Sequence, residues 1–122
     1  MEIIRGIKQY LQQLGYQNIF RGVLPDMPDR ALALYLDEAG ATPDGMVAGR
    51  LHVIARARSL EEALMTAQTV TAELDSGLNE RVFRLPGGGS CVARPAKWPV
   101  SIGPDNRNRA QAAAEVMVFY GG

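Results

Sequence analysis

Near the start of the chain the apolar residues fall at Ile3, Ile4, Ile7, Leu11 and Leu14, with Arg5, Lys8, Gln9, Gln12 and Gln13 elsewhere on the wheel. That three-to-four spacing predicts an amphipathic helix, and Gly15 is its natural stop. Gly6 weakens the helix by about 1 kcal/mol relative to Ala, so its stripe must dock on a sheet. A short strand is expected over residues 18–23. The run L-P-D-M-P-D at 24–29 then reads as a rigid turn, because proline fixes φ and aspartate accepts bonds from nearby backbone amides.

Strict alternation follows at residues 30–36. Leu32, Leu34 and Leu36 point one way, and Ala31, Ala33 and Tyr35 the other. Residues 38–49 hold three glycines and a proline and show no periodicity, which predicts a long, mobile loop. Residues 50–57 alternate again, with Leu51, Val53, Ala55 and Ala57 on one face and His52, Ile54, Arg56 and Arg58 on the other. Ser59 with Glu62 three residues on is a capping box. It opens a helix whose stripe is Leu60, Ala63, Leu64, Ala67, Val70, Thr71 and Leu74, closed by Gly77.

Strands are expected at 81–85, at 90–94 and 100–102 with breaks at Pro95 and Pro99, and at 112–120, where three alanines make the start weakest. In the last of these Val116, Val118 and Tyr120 share one face, and Glu115, Met117 and Phe119 the other. Residues 86–90 and 103–109 read as turns. The order predicts a single α+β domain, residues 1–122, with a mostly antiparallel sheet and two helices on one face.

Length allows one domain with a sizeable core and little room for a second: the chain has 122 residues, 47% of them hydrophobic. A single cysteine, Cys91, rules out an intramolecular disulfide and a multi-cysteine metal site. The charged N-terminal segment does not read as a signal peptide, and no run approaches the roughly 20 apolar residues of a membrane span. The cytoplasm is therefore the expected place of synthesis, with no membrane partner. Net charge is zero but uneven: residues 1–80 hold 7 basic and 11 acidic side chains, and residues 81–122 hold 6 and 2. Such polarity suits assembly of like with like, the acidic part of one copy facing the basic part of the next.

Candidate chemistry is sparse. His52 lies in a strand, and Cys91 has no visible partner, so a structural histidine and a small half-buried thiol are the simplest readings. Asp26 with Asp29 reads as a turn former, and Glu61 with Glu62 as helix N-terminal charge. The glycines at 87–89 lack the Lys-Ser/Thr of a phosphate loop. No catalytic, cofactor or metal residue is assigned, and no enzyme is expected. Arg81, Arg84, Arg94, Lys97, Trp98, Arg107 and Arg109 form at most a scattered basic strip. A small nucleic-acid-binding or packaging accessory protein, and a small enzyme with an unrecognised site, are the alternatives.

Three stretches carry a resemblance. They are L-P-D-M-P-D-R-A-L-A-L-Y at 24–35, L-H-V-I-A-R-A-R-S-L-E-E-A at 51–63, and the turn I-G-P-D-N-R-N-R leading into the final strand over 102–118. In order and spacing the chain resembles the bacteriophage minor capsid protein family, whose members look like tail-completion or tail-terminator proteins of long-tailed phages and prophages. It departs in the glycine-rich 86–90 segment and in the small residues 112–114. The resemblance implies a virion structural protein, assembled in the host cytoplasm, that forms a ring, expected to be a hexamer, at the head-tail junction. Its implied partners are copies of itself, the tail-tube protein and the head-connector proteins, with at most non-specific contact to DNA passing through. A closed ring needs two different patches per subunit. Strand edges, the 38–49 loop and the 103–109 turn are the candidate patches, with Asp44, Met46, Arg56, Arg58, Asp105, Arg107 and Arg109 as the interface residues expected. Asp105 and Arg107 fit equally a role in shaping their own turn.

Overall fold

The computed structural model describes residues 3–41, 43, 45–77, 82–86 and 89–121. The chain runs α1 (Ile3–Gln13), β1 (Ile19–Arg21), β2 (Ala31–Ala41), β3 (Val47–Ala57), α2 (Leu60–Leu74), β4 (Phe83–Arg84), β5 (Ser90–Ser101) and β6 (Ala110–Gly121). The strands form one six-stranded sheet in the order β1-β2-β3-β6-β5-β4. Only β1 and β2 pair in parallel; every other neighbouring pair is antiparallel. This is the α+β arrangement that the alternation and helical stripes predict.

Both helices cover one face of the sheet. Ile3, Ile7 and Leu11 of α1 are buried with Ile19, Leu32 and Leu34, and α1 lies over β1 and β2. Helix α2 lies over β3, β6 and β5. It buries Ala63, Ala67, Val70 and Leu74 against strands presenting Ala55, Ala93, Ala112, Ala114 and Val116. Alanine on both sides lets helix and sheet approach closely, and that contact is what the small residues of β6 provide. The alanine-rich start of β6 is therefore no weak point: Ala110–Ala114 all pair with β3. The cap at Ser59 is as expected, its side chain accepting from the Glu62 amide at 3.2 Å. Two stripe residues fall outside the core, Leu14 because α1 has ended and Leu60 because it opens α2; they are 45% and 42% exposed.

The expected 38–49 loop is mostly strand. β2 runs on to Ala41 and β3 begins at Val47, with Asp37, Glu38, Gly40 and Ala41 paired to Arg50, Gly49, Ala48 and Val47. Gly40 supplies the positive φ of +126° at the bulge between Glu38 and Gly40. Local composition said loop; pairing with a long partner strand overrides it. β5 is likewise one strand from Ser90 to Ser101, with no break at Pro95 or Pro99. Its register shifts between Pro95 and Lys97 and again between Lys97 and Val100, and among the described residues its far side carries only the short β4. Proline is tolerated at such an edge. Of the strand expected at 81–85, only Phe83–Arg84 is strand among the described residues, Val82 and Leu85 lying just outside it; Arg81 lies outside the described residues. No helix among the described residues is long and apolar enough to cross a membrane.

Candidate functional site

The face of the sheet opposite the helices has two features, a cluster of ion pairs at one end and an apolar groove beside it. The cluster joins the 24–29 turn to the 103–109 turn. Asp105 organises its own turn: its Oδ1 accepts from the backbone N–H of Arg107 at 3.0 Å and of Arg109 at 2.8 Å. Arg109 is buried, 6% exposed, and its guanidinium donates to Asp105 Oδ2 at 2.8 Å and Asp29 Oδ1 at 3.1 Å. Arg56, 4% exposed, donates to backbone carbonyls of the same loop, to Pro28 O at 2.6 Å and Asp29 O at 3.1 Å. On the outside Arg107 pairs with Asp26 at 2.7 Å and Arg58 with Asp29 at 3.4 Å.

The electrostatics follow this geometry. The Arg109 hydrogen bond holds the Asp29 carboxyl below the usual carboxylate range against a smaller opposing effect of burial. For Asp105 burial is the largest single effect and pushes upward, but the backbone amides of Arg109 and Arg107 together with the Arg109 guanidinium outweigh it, so its pKa also lies low. Burial, followed by the neighbouring charge of Arg109, lowers the pKa of Arg56. No buried side-chain nitrogen or oxygen among the described residues lacks a hydrogen-bond partner. This is the chemistry of a clamp that fixes loop shape.

The groove, about 560 Å³, is lined by Tyr35, His52, Ile54, Trp98, Val100, Ile102 and their neighbours. Tyr35 and His52 stack with ring centroids 4.3 Å apart and planes 8° off parallel. His52 Nε2 lies 2.9 Å from Asp37 Oδ2, and its Nδ1 3.5 Å from Glu115 Oε1. Glu115 also draws Arg50 to 3.6 Å and Lys97 to 3.7 Å. Trp98 is 77% exposed, Val100 57% and Ile102 48%. Such a run of exposed apolar side chains on one face is unusual for a sheet facing water.

Of the residues expected at an interface, Arg56, Arg58, Asp105, Arg107 and Arg109 come together in the clamp. Arg56 and Arg109 are buried and bonded within their own chain, which gives them the role of positioning the turn and leaves Arg107 as its exposed cation. Met46 lies just before β3 and is half-buried, apart from the clamp, and Asp44 lies outside the described residues. Charge and turn composition did not single out the groove. Its signal was the alternation that set Tyr35, His52 and Ile54 on the face away from the helices. Cys91 sits in the core, where burial pushes its thiol up to about 12. No family model matches the chain, and no curated protein matches it.

Proposed function

We propose that this chain is a virion structural subunit acting at the head-tail junction of a long-tailed phage or prophage, where copies of it form a ring that completes the tail tube and meets the head connector. The observation that carries the reading is the sheet itself. One face is closed by two helices, and the other presents Trp98, Val100 and Ile102 to solvent beside Tyr35 and Ile54. A surface of this kind suits another protein. The likeness of the 24–35, 51–63 and 102–118 segments to minor capsid proteins supplies the place of assembly. The clamp supports the same reading, since its carboxylates and guanidiniums bind one another and hold two loops in a fixed relation.

The test is light scattering of the purified chain at several concentrations, alone and with the tail-tube protein of the same phage. A ring, formed alone or on adding the tube protein, is expected. A particle that stays monomeric in both conditions refutes the proposal, and salt-sensitive DNA binding without self-association would favour the accessory-protein alternative. Arg107→Glu is expected to spare folding and impair assembly, because Arg107 and its partner Asp26 are both more than half exposed. Tails of normal length that join heads normally in that variant would remove Arg107 from the interface.

A further inference from the structure

We infer that the proposed ring closes by seating the Trp98 surface of one copy on the outer face of α2 of the next. The inference rests on the ring reading and specifies its contact.

Two surfaces of the chain are complementary in charge. Strand β5, S-C-V-A-R-P-A-K-W-P-V-S, carries Arg94 and Lys97 and no acid. Helix α2, L-E-E-A-L-M-T-A-Q-T-V-T-A-E-L, carries Glu61, Glu62 and Glu73 and no base. Arg30 engages Glu62, while Glu61 and Glu73 are exposed. On β5 the Lys97 side chain is 71% exposed, and the carboxylate nearest to it, Glu115, is shared with Arg50 and His52. Lys97 and Arg50 thus face the single carboxylate of Glu115, which leaves that surface a local surplus of positive charge, while the exposed Glu61 and Glu73 leave the helix a surplus of negative charge.

The same two surfaces hold exposed apolar side chains where a contact needs them. Trp98 and Val100 stand beside Lys97 on β5, 77% and 57% exposed. Met65 stands between Glu61 and Glu73 on α2 and is 60% exposed. Glu61, Met65, Gln68 and Ala72 follow helical spacing and form one outward strip. Lengths agree as well: fifteen helical residues extend about 22 Å, and β5 from Arg94 onward extends about 25 Å.

Geometry makes the contact intermolecular. Helix α2 lies on one face of the sheet and the Trp98 surface belongs to the other, so a single copy cannot join them. A contact between two different patches is head-to-tail, the class that generates rings when the rotation closes.

Trp98 is the only tryptophan, so its fluorescence reports this surface alone. As concentration carries the chain from monomer to ring, emission is expected to shift to the blue. Arg94→Glu with Lys97→Glu, or Glu61→Lys with Glu73→Lys, is expected to raise the concentration for half-assembly at least about tenfold, because like charges then face each other. An equimolar mixture of the two double variants should assemble again, reversed β5 meeting reversed α2 and native meeting native. Circular dichroism establishes that each variant folds, and the fluorescence of the unmodified chain needs no variant. A ring with unchanged Trp98 emission, or one indifferent to both reversals, overturns this contact and leaves the ring reading intact. A chain that stays monomeric with and without tube protein overturns both.

Discussion

Replacing Arg56 with methionine removes the inner half of the clamp while keeping most of the side-chain volume. Arg56 donates to Pro28 O at 2.6 Å and Asp29 O at 3.1 Å, with a longer approach to Asp26 O at 3.4 Å. Two short hydrogen bonds from a charged donor contribute about 1.5–3 kcal/mol each. Methionine relieves the desolvation of a buried guanidinium, which is why some buried ion pairs can be replaced at no loss. Here, however, the acceptors are main-chain carbonyls that remain after the substitution and need donors. The lower end of the range applies, since water can enter a loop at the rim: about 3 kcal/mol in total. With an unfolding entropy of about 2.1 cal/mol/K per residue, 122 residues give roughly 0.26 kcal/mol/K, and Tm should fall by about 12 °C.

The assay is urea and thermal unfolding followed by far-UV circular dichroism. The control is Arg30→Met, which breaks an ion pair to Glu62 made by a side chain 67% exposed and should cost less than about 1 kcal/mol. Arg56→Lys should fall between, because one ammonium cannot serve two carbonyls with the fork of a guanidinium. If Arg56→Met is as stable as the unmodified chain to within about 0.5 kcal/mol, a range typical of surface changes, the clamp does not hold the loop and the reasoning fails.

Three further outcomes are expected. Ser59→Ala removes the acceptor of the Glu62 amide and should destabilise the chain by about 1 kcal/mol in the same unfolding assay. Cys91, whose thiol burial raises to about 12, should react with a thiol reagent at pH 8 at least about a hundredfold more slowly in the folded chain than in urea; equal rates would place it at the surface. Asp29 and Asp105 have folded pKa values below the usual carboxylate range. Their contribution to stability is thus complete above the unfolded value of about 4 and is lost as pH falls through the lower folded values. Stability should hold steady from pH 7 to about 5 and then decline. Asp29→Asn, lowering stability at neutral pH, should flatten the acid part of the curve, and an unchanged slope would discount Asp29.

How legible the chain was depended on whether a signal was local. Ser59 with Glu62, the stripe ending at Leu74, and the alternation of Leu51, Val53, Ala55 and Ala57 are local, and each element stands where its pattern put it. Leu60 and Leu14 misled because a stripe has ends, where the partner surface stops. The 38–49 segment was misread because Gly40 and Gly49 look like loop residues, whereas one serves a bulge and the other a crowded pairing. A side-chain carbon added at Gly49 would come within 2.9 Å of Leu36 Cδ1, so glycine there is a packing requirement of a strand. Pro95 and Pro99 misled for the opposite reason: the rule against proline in strands weakens at an edge, and only topology shows where an edge is. The clamp was half visible. Turn chemistry gave Asp105 its role, but only the fold brings Arg56 from β3 to the carbonyls of residues 28 and 29.

The clamp and the groove share residues, and this links stability to assembly. Tyr35, Ile54 and Ile102 line both the hollow around Arg56 and Arg109 and the groove beside Trp98. Ile102 is held there by its N–H to Gln111 O at 3.1 Å, and the Gln111 side chain in turn donates to Gly103 O at 3.3 Å. Both residues lead into the turn that Asp105 and Arg109 close. Charge buried at one end of the face thus determines where the 24–29 and 103–109 loops stop, and so how much apolar surface remains open at the other end. A sheet that keeps such a surface exposed needs a rigid boundary beside it, and buried guanidiniums bonded to main-chain carbonyls supply one. Arg56→Met should therefore impair assembly beyond its effect on folding: at a temperature where the variant is fully folded by circular dichroism, its half-assembly concentration should still be raised. A variant that is destabilised yet assembles at the concentration of the unmodified chain would separate the two features and make the clamp a matter of stability alone.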